Sequence, residues 1–465
     1  MTLAQIGLIG LGTMGAALAS NIADNGFDIA VWNRTPSVTH DFVNTAGDLA
    51  ARITGTDTLE DLVAAIAKPR AIILMVPAGQ PVDDQITALR PLLDDDDLII
   101  DAGNALFHDT NRRAETATGP FLGIGVSGGE EGARFGPSIM GGGPRQYWDR
   151  VAHILNAISA KHDGTPCATW MGEAGAGHFV KAVHNGIEYA DMQMIAEVYG
   201  IMRDGMGMSA EQIGAVFERW NTGPLQSYLI EISGKVAQAH DPKSDGPLLD
   251  IIVDAAGQKG TGRWTAIEAQ HLAAPIPGIE AAVVARNLSS RRDERAAGEA
   301  LFGAAPIHIP HDQITVQQLE LGLIAGKILS YAQGFAMIEA ASEAYTWDLP
   351  LPDIARVWRA GCIIRSTMLD DMATALTQHP DRNLIRAPAF AELLKSHHDA
   401  LRQVVAVGTL HGIAMPALAS SVAYFDAMRT ARGTANMIQG QRDYFGRHSF
   451  ARLDGGEGWH GPWAD

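Results

Sequence analysis

Cysteine is nearly absent: only Cys167 and Cys362 occur in 465 residues. No disulfide framework beyond a single bridge is possible, and a reducing compartment is the natural setting. Positive charge is also scarce. There are 35 Lys and Arg against 53 Asp and Glu, for a formal net charge of −18. That balance disfavours nucleic acid and anionic membrane as partners. It also means that an anionic ligand requires the few basic residues to be gathered locally. Apolar runs such as Ala71 to Val76 are far shorter than the ~20 residues a membrane helix needs. No basic leader with an apolar segment and a cleavage site opens the chain, so a cytoplasmic location is expected. Internal repeats and low-complexity segments are lacking as well. What remains, with 46% hydrophobic and 19% charged residues, is an ordinary soluble composition long enough for several domains.

The first third has the pattern of a dinucleotide-binding fold. Gln5 to Ile9 reads as a short buried strand running into Gly10-Leu-Gly-Thr-Met-Gly15. A helical stretch, Ala16 to Ile22, and a second strand, Asp28 to Trp32, follow. Gly10 permits the tight turn, Gly12 lets a pyrophosphate approach the backbone, and Gly15 lets helix and strand pack closely. Thr13 and Met14 open the helix whose positive end meets the phosphates. The second strand ends in Asn33-Arg34-Thr35 rather than in an acid. Arg34 suits a 2′-phosphate and Thr35 can donate to it, so NADP is favoured over NAD. Further strands are expected at Ala71 to Val76, Leu98 to Asp101 and Phe121 to Val126. Their ends carry Val76, Ala78, Asn104 and Ser127-Gly128-Gly129, where ligands bind in such sheets. Asp94 to Asp97 reads as a solvated turn.

From Gly172 onward the pattern turns helical, with one long helix expected over Leu319 to Glu343. Lys181, His184, Asn185 and Glu188 fall at i, i+3, i+4 and i+7, on one face of an otherwise apolar helix. Spacing alone leaves two readings, a solvated face or a reaction site on a rigid element. Two basic clusters follow. Gly257-Gln-Lys-Gly-Thr-Gly-Arg-Trp264 combines flexible backbone, a hydroxyl and cations, which suits phosphate. Arg286 to Arg295 mixes both signs and reads mostly as a solvated helix. There is no His-Glu-x-x-His and no tight His/Asp/Glu cluster at ligand spacing, so no metal is expected. His397-His398 reads as a surface pair.

These motifs resemble the decarboxylating 6-phosphogluconate dehydrogenases of the pentose phosphate pathway. The resemblance rests on Gly10 to Gly15, Asn33-Arg-Thr35, Val126-Ser-Gly-Gly-Glu-Glu-Gly-Ala-Arg134, Gly175 to Tyr189, Ala256 to Trp264, Leu288-Ser-Ser290 with Asp293-Glu-Arg295, Trp358 to Ser366 and Gln441-Arg-Asp-Tyr-Phe-Gly446. It implies an α/β Rossmann-type N-terminal domain (1–177), a large all-α domain for substrate and dimerisation (178–436) and a C-terminal tail (437–465). It implies oxidation of 6-phospho-D-gluconate at its 3-hydroxyl with NADP, loss of CO2, and release of ribulose 5-phosphate. Lys181 matches the base, which must be neutral to act and could be made so by its apolar helix neighbours and by a charged His184, and Glu188 matches the acid that protonates C1. His184 and Asn185 match orienting residues, and Ser127, Gly128 and Gly129 hold the carboxylate end. Asn104 matches an asparagine near both nicotinamide and substrate. Tyr189, Lys259, Thr261 and Arg286 match the phosphate set. Arg442 and His448 match tail residues that complete the partner subunit's site, which implies a homodimer. Ala102 and Ala105 stand where the family usually has Gly and Ser. Two other readings predict different losses. A dehydrogenase for a smaller, non-phosphorylated hydroxyacid needs no phosphate ligands, and a non-catalytic NADP sensor needs neither base nor acid.

Overall fold

The computed structural model describes residues 3–116, 118–381 and 383–463. Eight strands form one sheet: β1 Ile6–Ile9, β2 Ile29–Trp32, β3 Ile53–Gly55, β4 Ala71–Leu74, β5 Leu98–Asp101, β6 Phe121–Ser127, β7 Ser138–Gly142 and β8 Ala168–Gly172. Their spatial order is β8-β7-β6-β5-β4-β1-β2-β3. Neighbours run parallel except β6 and β7, which pair antiparallel with Ser127 opposite Ser138. The order reverses between β1 and β4, and the crevice at such a switch point is where open α/β sheets take ligands. Strand side chains alternate between two layers. Leu8, Ile73 and Ile100 pack under Leu18 and Ile22 on one face, while Ile9, Ile72 and Ile99 meet Leu62 and Val82 on the other. That double burial explains why these strands are continuous apolar runs rather than alternating ones.

The strands β3, β7 and β8 were not expected from the sequence. β3 has three residues, and β7 (Ser-Ile-Met-Gly-Gly) is glycine-rich, so neither carries a strong periodic signal. The Asp94 to Asp97 run is also more than a solvated turn. Asp97 is buried, and its carboxylate accepts from Arg70 at 2.7 Å.

The helical half is built around helix α2, Ala176–Gly200, and helix α5, Val316–Tyr345. (Helix α1 is Thr13–Asp24; α3 is Thr261–His271 and α4 Pro277–Ser289.) Helix α5 starts at a capping box formed by Thr315 and Gln318. By length and composition it is apolar enough to cross a bilayer, yet 89% of its apolar window is buried inside this fold. A helix apolar all round is the core of a large domain here. Each Leu or Ile fully removed from water there contributes roughly 1.5–3 kcal/mol before entropy is counted. Both cysteines lie buried and free. His398 is half-buried and packs on Phe425 at 5.3 Å, so it is not a plain surface residue.

Helix α2 packs against β6, β7 and β8. It starts at Ala176 and lies directly on the sheet. A methyl group at Gly125 of β6 would come within 2.4 Å of Lys181 Cβ. The missing side chain on the strand is therefore what lets Lys181 descend to the sheet edge.

Candidate active site

The nucleotide loop has the geometry its glycines suggested. Gly10 has φ +96°, and a Cβ there would meet the Met75 carbonyl at 2.5 Å. A Cβ on Gly15 would lie 1.8 Å from the Gly10 carbonyl, whereas one on Gly12 would meet nothing within 4 Å. Gly12 is thus open space above the N-terminus of α1, which fits a pyrophosphate. Val76 packs against this loop from the end of β4. Asn33 is spent on structure: its Oδ1 accepts from the Leu11 backbone N–H at 3.0 Å. It braces the loop, and the exposed Arg34 and Thr35 remain at the end of β2.

A cleft of about 660 Å³ opens between the sheet and the helical half. Met14 and Met75 mark its nucleotide end, and Asn104, Ser127, Gly128 and Gly129 form one wall. Lys181, Asn185, Glu188 and Tyr189 form the floor, with Lys259, Thr261 and Arg286 at the far end. The stripe on α2 is therefore not a solvated face. Ile363, from the stretch Trp358 to Ser366, also lines it. No chemical signal marked Ile363, because an apolar residue in an apolar sequence looks like core. Gly10, Gly12, Thr13, Gly15, Asn33, Arg34, Thr35, Val76 and Ala78 lie outside this cavity, toward the nucleotide loop and strand ends.

Lys181 is 6% exposed. Its Nζ donates to Asn185 Oδ1 at 2.8 Å and to Ser127 Oγ at 3.0 Å. Asn185 Nδ2 donates onward to Thr261 Oγ1 at 2.8 Å, tying α2 to α3. His184 is fully buried, with Nδ1 2.9 Å from Asn185 Oδ1 and Nε2 3.4 Å from Ser127 Oγ. Because an amide oxygen only accepts, Nδ1 carries the hydrogen and Nε2 is the acceptor.

Burial lowers the Lys181 amine, against the pull of Glu188. Burial likewise raises the Glu188 carboxyl, against Lys181 and Arg286, and Asp191 adds to the rise. In water these two groups would sit as an ion pair. Here desolvation outweighs their attraction and tilts both toward neutral forms. The sequence also suggested His184 as a cation that would help neutralise Lys181. The structure reverses that: burial, then the Lys181 charge, drives the imidazole well below its usual range. A neutral His184 serves as a hydrogen-bonding brace.

At the far end the Arg286 guanidinium stacks 3.3 Å above the Tyr189 ring and donates to the Gly257 carbonyl at 3.2 Å. Gln258 donates to Asn287 at 2.6 Å. These contacts fold the glycine-rich segment against α4, so Lys259, Thr261 and Arg286 converge. The stretch from Arg286 to Arg295 is accordingly divided. Arg286 belongs to the cleft, while Arg291 and Arg295 pair with Glu294 and Asp254.

Arg442 and His448 do not reach the cleft of their own chain. Arg442 is exposed and bonds Gln439 at 3.0 Å. The tail turns back on Asp443, whose carboxylate accepts from Ser449 N, His460 Nδ1, Gly461 N and Trp463 Nε1 at 2.7–3.0 Å. Burial would raise that carboxyl, but these donors hold it at about 2.

Two further features escaped the sequence reading. Asp191, three residues past Glu188, forms a buried ion pair with Lys327 at 2.7 Å. His108, Glu268 and His271 meet although 160 residues separate the first two.

Comparison with known proteins agrees with this geometry. Residues 5–172 match the NAD binding domain of 6-phosphogluconate dehydrogenase, and residues 177–463 match its C-terminal domain. The chain is 44% identical to the NADP(+)-dependent decarboxylating 6-phosphogluconate dehydrogenase of Bacillus subtilis, across 100% of both chains. It is 43% identical to the NAD(+)-dependent enzyme of the same organism, across 99% of both. The 6-phosphogluconate dehydrogenase structure from Plasmodium falciparum, described with its cofactor NADP+ and its substrate, superposes with a TM-score of 0.95. That match has 38% identity and covers 99% of this chain and 100% of that one. The chain belongs to the 6-phosphogluconate dehydrogenase family.

Proposed function

We propose that this protein oxidatively decarboxylates 6-phospho-D-gluconate to ribulose 5-phosphate and CO2. The observation that carries the reading is one continuous cleft. It holds a buried lysine tilted toward its neutral amine, a carboxyl tilted toward its acid form two turns along the same helix face, and a basic cluster at the far end. Gly10–Gly15 and Arg34 would hold NADP+, which would supply the hydride acceptor. Lys181, with two N–H bonds directed to Ser127 and Asn185, keeps its lone pair for the 3-hydroxyl proton of the substrate. The β-keto acid so formed loses CO2 while Lys181 returns its proton to the 3-carbonyl oxygen. Glu188, whose carboxyl burial tilts toward the acid form, then delivers a proton to C1 of the enediol. Lys259, Thr261 and Arg286 suit the phosphate, and Ser127 with Gly128 and Gly129 suits the carboxylate end. The retained base and acid argue against a non-catalytic sensor.

Relatives of nearly equal identity use NADP and NAD, so overall similarity does not choose the cofactor. Arg34, exposed where an NAD site would carry an acid, favours NADP. The homodimer reading draws support from the helix Ala435–Gly446, which leaves Met437, Ile438, Tyr444 and Phe445 exposed. It also suits Arg442 and His448, which lie away from their own cleft.

Absorbance at 340 nm, followed with NADP or NAD on 6-phosphogluconate and on gluconate, tests the proposal. Reduction of NADP with the phosphorylated substrate only is expected. No reduction with 6-phosphogluconate would overturn it. Arg34→Ala should lower the NADP:NAD preference by roughly tenfold, the worth of one charge-assisted contact.

A further inference from the structure

The cluster of His108, Glu268 and His271 joins the nucleotide-binding half to the helical half. His108 stands in the first turn of the helix Phe107–Thr116, four residues past Asn104. Glu268 and His271 share a face of α3 at i and i+3, the helix that begins with Thr261. His108 Nε2 lies 2.8 Å and His271 Nδ1 3.3 Å from the same carboxylate oxygen, Glu268 Oε2. The three ligand atoms all lie within 4.8 Å of one another.

We propose that His108, Glu268 and His271 form a zinc site that clamps the nucleotide-binding half to the helical half. Two imidazole nitrogens and one carboxylate oxygen are a donor set suited to Zn2+, with water in a fourth, open position. The carboxylate is 4% exposed while both imidazoles reach solvent. An ion therefore has an entry path and a fixed anionic seat. Tyr345 donates its hydroxyl to the other oxygen, Glu268 Oε1. That bond leaves Oε2 as the free ligand and orients it, as outer-shell partners of metal ligands do. The His108 ring is steadied by Phe107 at 4.0 Å. Hydrogen-bond lengths of 2.8 and 3.3 Å are close to the ligand-to-ligand spacing around a zinc with bonds of about 2.0–2.1 Å. The edge between the two imidazole nitrogens is bounded only by 4.8 Å, so the rings close on the carboxylate as an ion replaces the shared hydrogens. Because His108 follows the Asn104 loop and Glu268 follows Thr261, one bound ion couples the two walls of the cleft. The sequence offered only the Glu268/His271 pair at helical spacing, so the expectation of no ligand cluster missed what the fold assembles.

The full-length protein, stripped with a chelator and dialysed, is titrated with ZnCl2 against a chromophoric zinc indicator. One Zn2+ per chain is expected, together with a rise in Tm. Tyr345→Phe should weaken binding by about tenfold, and His271→Ala, an exposed substitution, should weaken it further while leaving basal turnover intact. Substituting Co2+ should give the visible bands of a four-coordinate site in the parent protein and not in His271→Ala. Failure to bind zinc stoichiometrically overturns the proposal. So does equal binding by the parent, His108→Ala and His271→Ala, since the ion would then sit elsewhere. None of these readouts depends on which sugar acid the enzyme oxidises.

Discussion

Two buried lysines in the helical half are used in opposite ways. Lys327, 1% exposed on α5, meets both oxygens of Asp191 at 2.7 and 2.9 Å. Lys181, 6% exposed on α2, has only neutral acceptors among the described residues, Ser127 and Asn185. Both have left water. The first is matched by a carboxylate and sits among packed apolar side chains, so it holds two helices together. The second is left without a bonded carboxylate beside an open cleft, so burial is spent on its basicity. Glu197 and Glu188 make the same contrast on one helix. Glu197 is capped by the backbone N–H groups of Ala417 and Leu418 at 2.8 and 2.9 Å, whereas Glu188 faces the cleft. Depth of burial does not distinguish a site from a core. Completeness of partners does.

The contrast can be broken by exchanging which lysine is lost. Lys181→Met should lower turnover by roughly 10²–10⁴-fold, the range for removing a general base, while Tm stays the same or rises. An unchanged kcat, read at 340 nm, would remove Lys181 as the base. Lys327→Met should do the reverse. It strands Asp191 without its cation and should cost about 3–5 kcal/mol in chemical denaturation. Adding Asp191→Leu should recover most of that loss. If Lys327→Met is neutral, the pair does not bind the helices as argued.

Glu197 sharpens the comparison through pH. Burial lifts its carboxyl from 4.5 to about 7, against the two backbone donors and Gln193. A carboxyl raised on folding binds its proton more tightly in the native state. Its contribution is therefore full below about 4.5 and lost as pH rises through about 7. The loss amounts to about 3 kcal/mol across that window. Glu197→Gln should not show it, and the difference between the two denaturation curves measures the effect. The smallest expected change is in the pH–rate profile of Ser127→Ala. Removing an acceptor from Lys181 disfavours the ammonium, so the acidic limb of kcat/KM should move down by about one pH unit. Upward movement would assign Ser127 another part.

The residues legible in the sequence were those whose chemistry repeats at short range. The glycines of the nucleotide loop and the i, i+3, i+4, i+7 stripe each announce themselves within one turn or loop. Lys259, Thr261 and Arg286 were legible as basic clusters, although nothing local showed that Arg286 would stack on Tyr189. What could not be read was set by packing between distant segments. His184 was expected to lend charge, and its complete burial under Ser127 makes it neutral instead. Lys327 was hidden in an apolar helix, because its partner lies 136 residues earlier. His108 meets Glu268 only through the docking of two domains. β7 escaped because a glycine-rich pairing strand lacks the apolar run that marked β4 and β5, and β8 (Ala-Thr-Trp-Met-Gly) is too short and mixed to show one.

The central claim is that burial, without a bonded carboxylate, prepares Lys181 as a neutral amine. The direct measurement is an NMR titration of the 13Cε and 15Nζ signals of Lys181, assigned by their loss in Lys181→Met. The account predicts a midpoint below the ordinary lysine value of 10.5, separated from the surface lysines. A Lys181 signal that titrates together with those surface lysines would contradict it.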